Sequence, residues 1–186
     1  MELTGKIVSV TCGPRGAGKT TFALRVKKEF PEILYLNQDK LFQEKFGTLL
    51  FYEQKHMHEA GLFIKQKITD LVLSASKDAK IILDINVENP KMRKALVQHL
   101  RSCGVSSVIC WHFVTPFEQC LTWLKQKPKN EKLLDYPPFV LLEYKLYHDW
   151  ATDINFPHHL YYQGKNIPGF DMIRRVDPLN SKFSFP

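Results

Sequence analysis

Gly13-Pro14-Arg15-Gly16-Ala17-Gly18-Lys19-Thr20 decides how the rest of this chain is read. The octet fits G-x-x-x-x-G-K-[ST], the phosphate-binding P-loop pattern. An apolar run with Ile7, Val8 and Val10 precedes it, and a helix-like run from Thr21 to Phe30 follows. Strand, loop and helix in that order turn the pattern into a physical expectation. Glycines let the backbone wrap an anion closely, and the amides of the turn and helix start point at it. Lys19 would bridge terminal phosphates, and the Thr20 hydroxyl would face Mg²⁺. The candidate nucleotide contacts are therefore Gly13, Arg15, Gly16, Ala17, Gly18, Lys19, Thr20 and Thr21. A glycine-rich turn with a chance lysine would lack the flanking strand and helix.

Outward from the loop, apolar strands alternate with helical patterns. The first strand runs from about Ile7 to Thr11, and the first helix from Lys19 to Phe30, ended by Pro31. Ile33 to Leu36 reads as a short buried strand with Asn37-Gln38-Asp39 at its end. Lys40 to Ser76 reads as helical, with Met57, Ala60, Ile64, Ile68, Leu71 and Val72 on one apolar face. Lys80 to Asp84 is a third strand closed by an aspartate. Asn89-Pro90 suits a helix start, and Gly104 a helix end. Ser107 to Phe113 is a fourth strand, and Thr115-Pro116 opens another helix. Lys125 to Tyr136 is a polar, lysine-rich loop. Pro137-Pro138 begins a further helix to about Trp150, Leu160 to Tyr162 is a short extended piece, and Met172 to Val176 suits a fifth strand. The alternation predicts an α/β fold: a parallel sheet of five strands with helices on both faces, as a single domain over 1–186.

The bulk properties set bounds. The net charge is +7 with pI near 9.2, which favours an anionic partner without naming it. No segment has the apolar length of a membrane span. Met1 to Lys6 leads directly into the first strand, so no signal peptide is expected. The four cysteines, Cys12, Cys103, Cys110 and Cys120, show no CxxC pairing and are expected as reduced thiols in a cytoplasmic or nuclear setting.

Ligands of such sheets bind beyond the carboxyl ends of the strands, where Asp39 and Asp84 both fall. Phosphoryl transfer needs a phosphate cradle, a metal and a base for the incoming hydroxyl. Asp39, one strand from the P-loop, suits the base; its other role would be to cap a helix starting at Lys40. Asp84 ends its strand like a Walker-B acid, suited to Mg²⁺ or to the acceptor, with Asn86 two residues on; its other role would be a turn residue. The lysines at 125, 127, 129 and 132 suit a closing lid at about 125–136, with Lys127 neutralising charge in the transition state, or else a solvated surface loop. His56 and His58 point to different sides of a helix, and His158-His159 has no supporting acids, so no zinc site is expected. Phe42, Phe46, Phe51, Tyr52 and Phe63 suit core packing, with one or two able to stack a nucleobase.

These residues carry a resemblance. The P-loop, Leu36-Asn37-Gln38-Asp39, the stretch Asp84-Ile85-Asn86-Val87-Glu88-Asn89-Pro90-Lys91-Met92-Arg93, and Pro168-Gly169-Phe170-Asp171-Met172-Ile173 together resemble the kinase domain of polynucleotide 5′-hydroxyl kinases, the end-healing group of phages and eukaryotes. The resemblance implies a five-stranded P-loop kinase fold, ATP or GTP as donor, Mg²⁺, a nucleic-acid end as acceptor, Asp39 as general base, Asp84 at the acceptor, and Lys19 and Thr20 on phosphate. The chain departs from that pattern at Phe42, where phage-type members carry an arginine, and in Trp123-Leu124-Lys125-Gln126-Lys127, which has lysines where the family lid is arginine-rich.

The expected activity is thus transfer of a γ-phosphate to the 5′-hydroxyl of an RNA or DNA end. Two alternatives stand beside it. One is the same chemistry on a small hydroxyl acceptor, a nucleoside or metabolite. The other is a nucleotide-binding scaffold with little turnover.

Overall fold

The computed structural model describes residues 4–14, 16–47, 54–87, 90–126 and 170–180. Among them are five strands, β1 (Ile7–Cys12), β2 (Leu34–Asn37), β3 (Lys80–Asp84), β4 (Ser107–Phe113) and β5 (Met172–Val176), and five helices, α1 (Lys19–Glu29), α2 (Gln38–Phe46), α3 (Gln54–Ser74), α4 (Pro90–Ser102) and α5 (Phe117–Lys125). The sheet is all parallel, in the order β2-β3-β1-β4-β5. From β1 the chain leaves toward β2, and from β4 toward β5. The topological switch therefore lies between β1 and β4, and the crevice there opens at the strands' carboxyl ends.

Both faces of the sheet are buried, which is why the strands read as nearly continuous apolar runs. On one face Val8, Val10, Ile81, Leu83, Val108 and Cys110 meet Ile68 and Val72 of α3 and Val97 and Leu100 of α4. On the other, Ile7, Ile82, Ile109, Trp111 and Phe113 meet Phe22, Ala23 and Val26 of α1 and Cys120 of α5. Phe22 stands edge-on to Trp111 and Phe113, with centroids 5.5 and 5.6 Å away. Its burial contributes about 2–3 kcal/mol and seats the helix that follows the P-loop.

Two expectations need correction. Lys40 to Ser76 is not one helix: α2 begins at Gln38 and ends at Gly47, whose left-handed φ of 67° closes it, and α3 begins at Gln54. Met57 is 57% exposed and lies off the apolar face, whereas Ala60, Ile68 and Val72 are buried on it. The end of α4 forms as its sequence predicts. Gly104 (φ 81°) sends its N–H to the Arg101 carbonyl, and Val105 sends its N–H to the Leu100 carbonyl, a Schellman closure. The Asn89 cap, the helix over 137–150, the extended piece at 160–162 and nearly all of the 125–136 lid lie outside the described residues.

Of the Pro168–Ile173 motif, residues 170–173 are described, and they lie at the amino end of β4, the end opposite the P-loop. Asp171 accepts the Val108 N–H at 2.6 Å and faces Arg101 of α4, with Nη2 2.6 and 2.5 Å from its two oxygens. Arg101 also donates to the carbonyls of Val105 and Ser106. One aspartate thus fixes where β5 joins β4 and ties both to α4.

Candidate active site

The P-loop is built over the ends of β1 and β4. A Cβ on Gly13 would stand 2.9 Å from the Phe113 Cβ and 3.1 Å from its carbonyl oxygen, so the backbone approach there requires glycine. Thr115 Oγ1 donates to the Ala17 carbonyl at 2.9 Å and pins the loop from the β4 side. Gly18 takes the N-cap of α1 at φ 82° with no side-chain cap, and no acidic residue lies in the first turn. The positive end of α1 therefore carries nothing that competes with an anion. Lys19 folds back over the loop, its Nζ donating to the carbonyls of Gly13 at 3.0 Å and Pro14 at 2.8 Å. Thr20 and Thr21 are exposed in the first turn of α1. Arg15 lies outside the described residues, as does Lys127.

Asp84 is the centre of the polar network. β3 lies between β2 and β1, so its last residue is flanked by Asn37 at the end of β2 and by Thr11, next to the end of β1. Asn37 is its register partner. Thr11 Oγ1 donates to Asp84 Oδ1 at 2.9 Å; Oδ2 accepts from Thr20 Oγ1 at 2.7 Å, Asn37 Nδ2 at 2.8 Å and the Tyr35 hydroxyl at 3.1 Å. The carboxyl is 6% exposed. Four donors converge on this one buried group. The turn-residue role for Asp84 is therefore too small for what it does. Burial, then the Asp84 charge, hold the Tyr35 phenol well above its ordinary range, so it stays a donor. Tyr35 and Thr11 were not singled out in the sequence, and Asn37 only as part of the Leu36–Asp39 motif. Their signal is a polar side chain every second residue at the end of an otherwise apolar strand.

Thr20 and Asp84 present a hydroxyl and a carboxylate oxygen 2.7 Å apart beside the phosphate cradle. Hard oxygen ligands with one carboxylate suit Mg²⁺, which retains waters and takes its other ligands from phosphate. No group of three or more His, Cys, Asp or Glu gathers for a metal among the described residues.

Asp39 lies in the first turn of α2, exposed, with no hydrogen bond or ion pair among the described residues. Its expected alternative role as a cap is overturned: Asn37 is the N-cap, its Oδ1 accepting the Lys40 N–H at 2.7 Å. Next to it Gln38 Oε1 accepts the Asn86 N–H at 3.0 Å, tying the start of α2 to the loop after β3. That loop is braced again by Arg93, whose Nε donates to the Val87 carbonyl at 2.9 Å. Phe42 is 7% exposed and stands edge-on to Phe46, which stands edge-on to Phe63. Phe42 is thus core and not a base-stacking platform. Cys120, behind the loop, has its thiol pushed up to about 12 by burial, against the opposing charge of Lys19.

An all-parallel sheet in this order, with a phosphate loop after β1 and an acid after β3, defines the class: a P-loop kinase fold. Residues 8–145 match the family model AAA_33, an AAA domain, and the chain belongs to that family. No curated protein matches the sequence. Among solved structures the chain is similar to one in a Pnkp1/Rnl/Hen1 RNA repair complex, with 14% identity, TM-score 0.63, and coverage of 81% of this chain and 46% of the other. It therefore spans about half the length of that relative. It is also similar to a fungal RNA kinase, at 20% identity and TM-score 0.51, covering 96% and 75%, and to shikimate kinase from Acinetobacter baumannii, at 16% identity and TM-score 0.50, covering 94% and 85%. At these identities the likeness is one of fold. No helix among the described residues is long and apolar enough to cross a membrane.

Proposed function

We propose that this chain is a phosphotransferase that moves the γ-phosphate of ATP or GTP to the 5′-hydroxyl of an RNA or DNA end. The observation that carries the reading is Asp39. It is a solvent-facing carboxylate with no partner among the described residues, and it lies one strand beyond Asp84 at the carboxyl edge of the sheet that holds the P-loop. A carboxylate there orients an incoming hydroxyl and accepts its proton late, as a loose transition state requires. Lys19 and the amides of the loop and α1 bind the donor phosphates. Thr20 and Asp84 would hold Mg²⁺, which when bound neutralises charge on the phosphates. Lys127 is the proposed lid cation. The net charge of +7 and the likeness to two RNA-processing structures support a nucleic-acid acceptor.

A second reading, a small hydroxyl acceptor, is favoured by one observation. Phe42 is buried against Phe46, so that position offers no cation to an acceptor phosphate. Label from γ-³²P ATP or GTP is to be followed into 5′-OH oligonucleotides, with a panel of nucleosides and small polyols alongside. Transfer to the oligonucleotide alone supports the first reading. Transfer to a small hydroxyl that excess oligonucleotide does not inhibit replaces it with the second.

A further inference from the structure

Asn37 uses both ends of one amide. Its Oδ1 accepts the Lys40 N–H at 2.7 Å and so starts α2, two residues from Asp39. Its Nδ2 donates to Asp84 Oδ2 at 2.8 Å and to the Tyr35 hydroxyl at 3.2 Å. Asn37 and Asp84 are also register partners across the β2–β3 ladder. We infer that Asn37 is a positioning residue that locks the first turn of α2, and with it Asp39, to the carboxylate of Asp84. The inference rests on the proposed roles of those two aspartates.

The residue type follows from the geometry. Serine or aspartate caps a helix about as well as asparagine. Neither supplies a donor toward Asp84: serine is too short to span the ladder while capping, and aspartate offers only acceptors. Only asparagine joins a cap acceptor to a second-strand donor over this reach. Gln38, bonded to the Asn86 N–H, adds a second tie between the same two segments but touches neither aspartate.

Asn37→Ser and Asn37→Asp therefore separate the two ends. Both keep the cap. Serine removes the bond to Asp84, while aspartate places a second carboxylate against it. An acceptor set against an acceptor leaves that contact unbonded and repulsive. Melting temperature and steady-state transfer are to be measured for wild type and both variants. Asn37→Ser is expected to lower kcat by about 10–100-fold, the usual loss for a group that orients a metal-side ligand. Its KM for nucleotide should be unchanged, because the P-loop is untouched. Asn37→Asp is expected to melt below Asn37→Ser and to lose at least as much kcat, again with KM for nucleotide unchanged. Asn37→Ser with wild-type kcat, or Asn37→Asp melting at or above Asn37→Ser, would overturn the inference. A wild-type protein that transfers no phosphate to any acceptor overturns the kinase reading instead; the melting profiles then still decide whether Asn37 holds Asp84.

Discussion

Removing the Asp171 side chain should cost far more stability than its exposure suggests, and should cost it far from the chemistry. The Arg101–Asp171 pair is about one-third exposed on each side, at 35% and 39%. Such a pair contributes at most about 1 kcal/mol. The same carboxylate, however, accepts the N–H of Val108, which is fully buried in β4. Alanine leaves that N–H without its acceptor, at about 1–3 kcal/mol. The sum for Asp171→Ala is about 2–4 kcal/mol. At about 2–4 °C per kcal/mol for a chain of this size, the melting temperature should fall by about 5–15 °C. Asp171→Asn keeps an acceptor for Val108 and should lose about 1 kcal/mol or less. Arg101→Ala should cost less than Asp171→Ala, since it leaves the Val108 N–H with its acceptor. Calorimetry or urea unfolding reads all three. At a temperature where each is folded, phosphate transfer should match wild type. Asp171→Ala no worse than Arg101→Ala would refute the reasoning, because the cost would then lie in the ion pair and not in the buried N–H. Lost transfer in a fully folded Asp171→Asn would refute the separation of this motif from the site.

Four further outcomes are expected. Gly18→Ala places a Cβ 3.2 Å from the Trp123 ring and 3.3 Å from Pro178 at φ 82°, and should cost about 1–2 kcal/mol while weakening nucleotide binding. Gly47→Ala, at φ 67° in open space, should lose a similar amount in urea unfolding and leave a nucleotide titration unchanged. Cys120, buried and with its thiol pushed up to about 12, should resist alkylation at pH 8 while half-buried Cys103 is modified, as read by mass spectrometry of the folded protein. His99 packs between α3 and α4 with Nε2 2.9 Å from Thr69 Oγ1, and burial, then the Lys65 charge, hold its pKa below the ordinary 6.5. The unfolded chain therefore takes up this proton first, and stability falls as the pH drops below about 6.5. His99→Gln should flatten that part of the stability–pH curve.

The sheet was legible because burial on both faces makes each strand a short apolar run closed by a polar residue. Lys80–Asp84 and Ser107–Phe113 have the bounds their composition predicts. What periodicity missed was an interruption: Phe42 and Phe46 continue the helical pattern of α3, so Gly47 is visible as a stop only through its positive φ. In the site, the Thr20 hydroxyl meets Asp84 while Lys19 folds back over its own loop. Asn37 was legible as part of a motif but not as the cap, since aspartate and asparagine are equally good caps and two residues separate them. Thr11 and Tyr35 acquire meaning only from the strand order, which sets β3 between β1 and β2 and lets three strands supply one carboxylate. The sequence pattern contains no statement of that order.

The central claim is tested most directly by following γ-labelled ATP and GTP with Mg²⁺ into 5′-OH RNA and DNA oligonucleotides, using wild type, Lys19→Ala and Asp39→Asn. The account predicts labelled oligonucleotide from wild type, none from either variant, and nucleotide binding retained by Asp39→Asn. Full transfer by Asp39→Asn, or saturable nucleotide binding by wild type with no label on any 5′ end, would contradict it.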